Sequence, residues 1–370
     1  MIYEGRRATC TFKPPDADGT VRVVWEITRR CNMLCRHCCT DAQLIGRRGD
    51  GQSDELRPEQ TLAWLIEGRA SEVYISGGEP LMVRELPATV GALLESGARV
   101  TVATNGRLVP VRLPDLPADV GFLVSLDSPD AVEYERVRRG GRLSDVLRAL
   151  EALASEGRKF HLSCPLHPEL VHNLSRIDEL VELGRRYSAT AVLFSRLVGV
   201  GRESSPGRQN AQRLQALDGE LERRAITHIE DLSQRHAGEI WVSHPRLHSP
   251  DSAPVPLWGC PGGRGILHVA ADGSVGPCSY GVKAVPESSL GSVRVDTVAQ
   301  IRARWEDSWF AQRLRTWLTE IEKDCSACSL ASDCGRGCPL FGRGGPFTGR
   351  DTECQVGSAC EAGLMRSGNL

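Results

Sequence analysis

Cys31-Asn-Met-Leu-Cys35-Arg-His-Cys38 sets three thiols in one short stretch, with three and then two residues between them. Thiols at this spacing can converge on one metal centre, and thiolates ligate zinc and iron–sulfur clusters. A structural zinc site wants four closed ligands. Three thiolates on a four-iron cube instead leave one iron open to a substrate. A second group follows far downstream: Cys260, Cys278, Cys325, Cys328, Cys334, Cys338, Cys354 and Cys360. Only Cys164 separates the groups, which implies two metal-bearing regions joined by a metal-free scaffold.

Composition narrows the setting in which that chemistry operates. The chain has 370 residues, 41% hydrophobic and 25% charged, enough for one large α/β domain and a smaller one. A net charge of −2, with arginines scattered among acidic residues, gives no global pull toward nucleic acid or anionic membrane. Residues 1–30 lack the apolar core of a signal peptide, and no apolar run is long enough to span a bilayer. The expectation is a cytoplasmic protein. Fourteen cysteines in that compartment point to metal rather than disulfides.

The elements that must position the thiols read as alternating strands and helices. Residues 21–27 (VRVVWEI) are apolar and β-branched, a buried first strand that runs straight into the cysteine loop. Further strands are expected at 73–76, 99–104, 120–126, 160–164 and 189–195. Helices are expected at 58–68, 86–96, 143–156, 174–187 and 211–236. Six strand–helix units imply a parallel sheet with crossover helices. They are too few for a closed eight-fold barrel, so an open partial (β/α)6 barrel is expected. A doubly wound nucleotide-binding sheet would want glycines after the first strand, and that slot holds cysteines. In the barrel reading, Gly77-Gly78-Glu79-Pro80, Asn105-Gly106 and Ser125-Leu-Asp127 all follow strand ends, where barrels place their chemistry. Ser125 and Asp127 share a strand face, and the glycines let backbone carbonyls approach a ligand closely. The domains then divide as an N-terminal segment 1–20, a barrel 21–240, a linker 241–258 with four prolines, and a cysteine-rich domain 259–370. Within the last, 266–270 and 275–277 flank Asp272-Gly273, a hairpin signal.

The C-x3-C-x2-C loop after a strand, followed by Gly77-Gly78-Glu79-Pro80, resembles the signature of the radical S-adenosylmethionine (radical SAM) enzymes. The resemblance implies a [4Fe-4S] cluster on Cys31, Cys35 and Cys38 whose open iron binds S-adenosylmethionine. Reductive cleavage there releases a 5′-deoxyadenosyl radical, with the electron drawn from a flavodoxin- or ferredoxin-type donor. It also implies cofactor contacts from Gly77, Gly78, Glu79, Ser125, Asp127 and Arg138, with Arg136 and Arg139 as neighbouring candidates. His172-Asn173 carries a weaker expectation near the adenosine. His37 is expected to shield the cluster, and Cys10, Cys39 and Cys164 to be packing or bystander thiols. No general acid or base is assigned.

The downstream group, Cys260-x12-Gly273-x4-Cys278 … Cys325-x2-Cys328-x5-Cys334-x3-Cys338 … Cys354, resembles the SPASM extension of such enzymes. That implies two auxiliary clusters, the nearer on Cys260, Cys278 and Cys338, the farther on Cys325, Cys328, Cys334 and Cys354. Where some relatives carry a further cysteine, this chain has Pro254, so the nearer cluster has an open iron or is completed by another group such as Cys360. SPASM proteins mostly modify peptides. The stretch Val23–Cys31 and the tail Asp351-Thr-Glu-Cys354 look like those of mycofactocin-type maturases. Ser279 stands where sulfatase maturases carry an Asp base, against that activity. The expected substrate is therefore a ribosomally made peptide, oxidised or crosslinked, with a separate leader-recognition protein because only thirty residues precede Cys31. The alternatives are oxidation or decarboxylation of a small molecule, such as a sugar-like alcohol or a tetrapyrrole, and a non-catalytic metal-binding module, for which a pair of zinc ribbons is the simplest form. Methyl transfer would demand a cobalamin domain or extra catalytic thiols, and neither is evident.

Overall fold

The computed structural model describes residues 21–44, 54–197, 199–203, 219–243, 260, 262–263, 265–325, 338–341 and 346–348. Its centre is one ten-stranded sheet. In chain order the strands are β1 (Val21–Thr28), β2 (Ala70–Gly77), β3 (Arg99–Thr104), β4 (Gly121–Ser125), β5 (Phe160–Leu166), β6 (Ala191–Arg196), β7 (Trp241–Ser243), β8 (Ile266–Val269), β9 (Ser274–Gly276) and β10 (Gly291–Ser292). They lie in the order β7-β6-β5-β4-β3-β2-β1-β8-β9-β10, so the sheet is open, with β7 and β10 at its edges. The strands from β1 to β7 are parallel in sequence order. The connecting helices include α1 (Pro58–Glu67), α2 (Leu86–Glu95), α3 (Leu143–Ser155) and α4 (Ser175–Arg186).

Alternation decides which face each strand buries. Val21, Val23, Trp25 and Ile27 of β1 join Val73, Ile75, Val100, Val102, Phe122 and Val124 in one core under the helices, which contribute Leu65, Val90, Leu150 and Val181. Burying each such side chain is worth about 1.5–3 kcal/mol, so the helix-covered face carries most of the fold's stabilisation. The intervening residues, Glu26 on β1 and Leu123 on β4 among them, point to the opposite, helix-free face.

Two features differ from the sequence-based expectation. Trp241–Ser243, placed at the head of the linker, forms a seventh parallel strand on β6 (Ala191↔Trp241, Leu193↔Ser243); residues 244–259 lie outside the described set. The hairpin of the cysteine-rich region is also not separate from the barrel. β8 pairs in parallel with β1 (Arg22↔Ile266 to Trp25↔Val269), and β9 returns antiparallel beside it. The edge of β1 would otherwise leave its backbone donors and acceptors unpaired, so β8 satisfies them. Asp272 of the hairpin turn is salt-bridged to Arg29 at 2.6 Å, tying the turn to the entry of the cysteine loop. The expected 211–236 helix is α5 (Gly219–Arg235), and 211–218 lie outside the described residues. Two later helices matter below: α6 (Gly281–Ala284) and α7 (Trp309–Cys325).

Candidate functional site

The cysteine loop leaves the C-terminal end of β1. Cys31 is buried and Cys35 and Cys38 half-buried, packed in one small cluster with Met33 and Ala42. Each sulfur meets a polar neighbour: Asn105 Nδ2 lies 3.9 Å from Cys31 Sγ, Arg138 Nη1 3.7 Å from Cys35 Sγ, and the Ala42 N–H 3.3 Å from Cys38 Sγ. Burial pushes the Cys31 thiol up to about 11 and the Cys35 thiol to about 12 despite the Arg138 charge nearby. The thiolate forms thus need a cationic centre, and the donors are already aimed at the sulfurs, as in iron–sulfur sites. Three thiols in one cluster, each with an N–H group beside its sulfur, make a donor set that fits an iron–sulfur cluster.

Gly77-Gly78-Glu79-Pro80 grips the base of this loop. The Gly78 N–H donates to Thr28 O and the Glu79 N–H to Arg30 O, at 2.7 and 2.8 Å. Gly77 has φ +117°, and a Cβ on Gly78 would lie 2.0 Å from the Arg30 carbonyl oxygen. These glycines are therefore required by the approach of β1's own continuation, a steric demand internal to the protein. Glu79 is fully buried, and its carboxylate accepts from Leu81 N–H, Thr104 Oγ1 and Asn105 N–H. It fastens the loop to the end of β3.

Asp127 and Arg138 likewise meet each other. Arg138 donates through Nε and Nη2 to the two carboxylate oxygens of Asp127 at 2.7 and 2.9 Å. Asp127 is wholly buried, and His37 Nε2 lies 3.2 Å from Oδ2. Burial would raise the Asp127 pKa, but the Arg138 and His37 neighbours hold it below the usual carboxylate range. β4 ends at Ser125, so Asp127 lies beyond the strand. Ser125 is half-buried at the strand end, on the helix-free face. Cys164 is buried with its thiol on Asp127 O, while His172 and Asn173 are exposed outside this cluster.

Three further groups serve the loop, and of these only Asn105, just past the end of β3, lies in a stretch that the sequence marks. Asn105 bridges Cys31 and Asn32 Oδ1. Thr40 Oγ1 donates to Gly77 O. Arg202, only 2% exposed, donates to Cys35 O at 2.6 Å and to Ala42 O, pairs with Asp41, and its own N–H reaches Cys38 O. Its partners are some 160 residues upstream, so no local pattern could announce it.

The helix-free face carries a second polar group where the regions meet. Lys283 of α6 is ion-paired to Glu26 of β1, and His268 Nε2 of β8 lies 3.1 Å from the same Glu26 oxygen. Burial opposes the charge on Glu26, but His268 and Lys283 outweigh it and hold its pKa at about 2. Nearby, Cys260, Cys278 and Cys338 pack against one apolar cluster of Phe310, Leu314, Trp317, Leu340 and Phe347. Burial raises the Cys278 thiol although the Tyr280 and Gly281 N–H groups serve it, again a donor set suited to a metal cluster. α7 ends at Cys325. Cys10, Cys328, Cys334, Cys354 and Cys360 lie outside the described residues.

His161, 5% exposed on the same face, is held down to about 4 by burial. Below its ordinary value of 6.5 the unfolded chain takes up a proton that the folded chain refuses. The neutral form's contribution is thus complete above pH 6.5 and is lost as pH falls toward 4, amounting to about 3 kcal/mol, about 1 kcal/mol of it by pH 5.5. Denaturant unfolding at pH 7.5 and 5.5 should show a smaller pH dependence in His161→Gln by that amount.

The radical SAM superfamily model matches residues 25–183, and the SPASM iron–sulfur cluster-binding domain matches residues 260–334. The chain is 25% identical over 344 residues to an AdoMet-dependent heme synthase of Nitratidesulfovibrio vulgaris, covering 87% of this chain and 88% of that one. It is 26% identical over 354 residues to the mycofactocin maturase MftC of Mycobacterium ulcerans, covering 93% and 90%. Its fold matches the crystal structure of Streptococcus suis SuiB bound to S-adenosylmethionine with a TM-score of 0.68 at 17% identity, over 91% of this chain and 77% of that one.

Proposed function

This chain is a radical SAM enzyme with a C-terminal SPASM domain, and we propose that it oxidises or crosslinks a ribosomally made peptide. The observation that supports this reading is similarity to a peptide maturase along nearly the whole chain, second cysteine region included. Similarity to a heme synthase over 87% of this chain supports a second reading, oxidation or decarboxylation of a tetrapyrrole.

When bound, the first cluster and S-adenosylmethionine supply one-electron chemistry that ends in abstraction of a hydrogen atom from the substrate. The electron comes from an external flavodoxin- or ferredoxin-type carrier. Cys31, Cys35 and Cys38 would hold that cluster, with Asn105, Arg138 and the Ala42 N–H donating to their sulfurs. We assign Ser125 and the Gly77–Gly78 backbone to the face that meets the cofactor. Glu79, Asp127 and Arg138 act as positioning residues, because their side chains are already engaged inside the protein. Cys260, Cys278 and Cys338 would hold the nearer auxiliary cluster, and Cys325, Cys328, Cys334 and Cys354 the farther one.

Anaerobic reconstitution tests the cluster assignment. Wild type should carry about twelve irons per chain, and the Cys31→Ala, Cys35→Ala, Cys38→Ala triple variant about four fewer, with 5′-deoxyadenosine formation abolished. Zinc in place of iron, or cleavage indifferent to these cysteines, contradicts it. Substrate class is decided by mass spectrometry of a candidate precursor peptide, with and without a separate leader-recognition protein, beside iron-coproporphyrin. Loss of hydrogen from the peptide alone supports the maturase reading; conversion of the porphyrin alone replaces it with the second.

A further inference from the structure

We propose that Lys283 is the anion-binding point of the substrate chamber, and that the chamber takes a carboxylate carried on an apolar body. The inference rests on reading the helix-free face of the sheet as the substrate side, as the proposed function does.

Two opposite characters meet on that face. On the far strands, Ala191 and Leu193 of β6 form a small apolar cluster with Leu123 of β4 and Trp241 of β7, separate from the main core. On the near strands, Glu26 and His268 are almost wholly buried, with side chains 6% and 4% exposed, and Lys283 reaches Glu26 from α6 with its side chain 22% exposed. The sheet order sets β1 five strands away from β6. One wall is thus apolar and aromatic, and the other presents an ammonium.

The ammonium has donors to spare. A lysine head group carries three N–H donors, and Glu26 is its one hydrogen-bond partner among the described residues. His268 Nε2 also lies 3.1 Å from that Glu26 oxygen. Glu26 lies two residues before the C-terminal end of β1, where the chain enters the cysteine loop, so Lys283 stands beside that entry. A group in this position, partly open and incompletely bonded, suits a substrate carboxylate held beside the reacting centre. The carboxylate can come from the end or an acidic side chain of a peptide, or from an alkanoate arm of a tetrapyrrole. Because Lys283 follows Cys278 by five residues, the SPASM region would read the substrate's charge while the barrel reads its apolar part.

The test uses reconstituted holoenzyme and ligand-observed NMR, and needs no turnover. Probes are 3-phenylpropionate and its amide, then N-acetylphenylalanine and its amide for the peptide source, and mesoporphyrin and its dimethyl ester for the tetrapyrrole source. Wild type and Lys283→Arg should bind the acids about ten-fold tighter than their neutral partners, the worth of one charge-assisted hydrogen bond. In Lys283→Met that ratio should fall to near one with iron content and melting temperature retained. Equal binding of acid and neutral forms by wild type overturns the proposal, and so does a preference that survives in Lys283→Met. Loss of stability in Lys283→Met with the ratio unchanged would make the pair a latch between the two regions. Should Lys283→Met fail to fold, the wild-type acid-to-amide ratio still decides. If the maturase reading fails while the site stands, the acid preference persists without peptide turnover.

Discussion

Arg138→Met should lower the unfolding free energy by about 3–5 kcal/mol and release the iron that we propose the first cysteine group holds. The side chain is nearly buried and donates two hydrogen bonds to a carboxylate with no exposure at all. Methionine fills much of the same volume but leaves Asp127 charged, buried and facing only His37, which burial keeps largely neutral with a pKa of about 4 despite the Asp127 charge. The Cys35 sulfur loses its donor in the same step. The pair is isolated by a double-mutant cycle. Arg138→Met with Asp127→Asn removes both charges, so the combined cost should fall short of the sum of the single costs by more than about 1.5 kcal/mol. Denaturant unfolding and iron analysis on the same samples check it. Strict additivity would mean that the two side chains are near one another without depending on one another.

Arg202→Met is expected to act on the loop from the other side. The guanidinium donates to the carbonyls of Cys35 and Ala42 and pairs with Asp41. Both carbonyls belong to the segment that carries the thiols, and the arginine that serves them is 2% exposed. Leaving buried acceptors unbonded costs about 1–3 kcal/mol each, so a loss of about 2–4 kcal/mol is expected. The functional readout is sharper than the stability. Under challenge with an iron chelator the variant should lose about four irons much faster than wild type, while the iron that we propose the downstream cysteines hold leaves at the wild-type rate. Arg202→Lys should rescue only in part, because an ammonium cannot reproduce the planar fork that reaches two carbonyls and a carboxylate. Uniform loss from all sites would instead point to a general weakening of the fold.

Much of this architecture is legible without coordinates. The β-branched runs that mark β1, β3, β4, β5 and β6 lie within a few residues of the observed strands, because alternation and apolar content are local properties. The cysteine spacing is legible for the same reason: ligands on one loop are brought together by a handful of backbone torsions. The radical SAM match, 25–183, takes in the first cysteine group, and the SPASM match, 260–334, takes in Cys260, Cys278, Cys325, Cys328 and Cys334.

What was not legible is who meets whom. Glu79, Asp127 and Arg138 stand out in the sequence as candidates to touch a cofactor. The structure shows their side chains spent on Thr104, Asn105 and one another. Arg202 and Lys283 have no motif, yet one clamps the cysteine loop and the other enters from the far end of the chain to meet Glu26. β8 reads as half of a hairpin within the cysteine-rich domain and is found completing the edge of β1. By itself, then, the amino-acid sequence determined the elements, the thiol sets and the order in which they occur, since each follows from periodicity and spacing within a few turns of chain. Only the tertiary structure decided which polar groups fasten the cysteine loop and which meet on the helix-free face. That choice depends on strand register and on contacts spanning 160 to more than 250 residues, which no local pattern encodes.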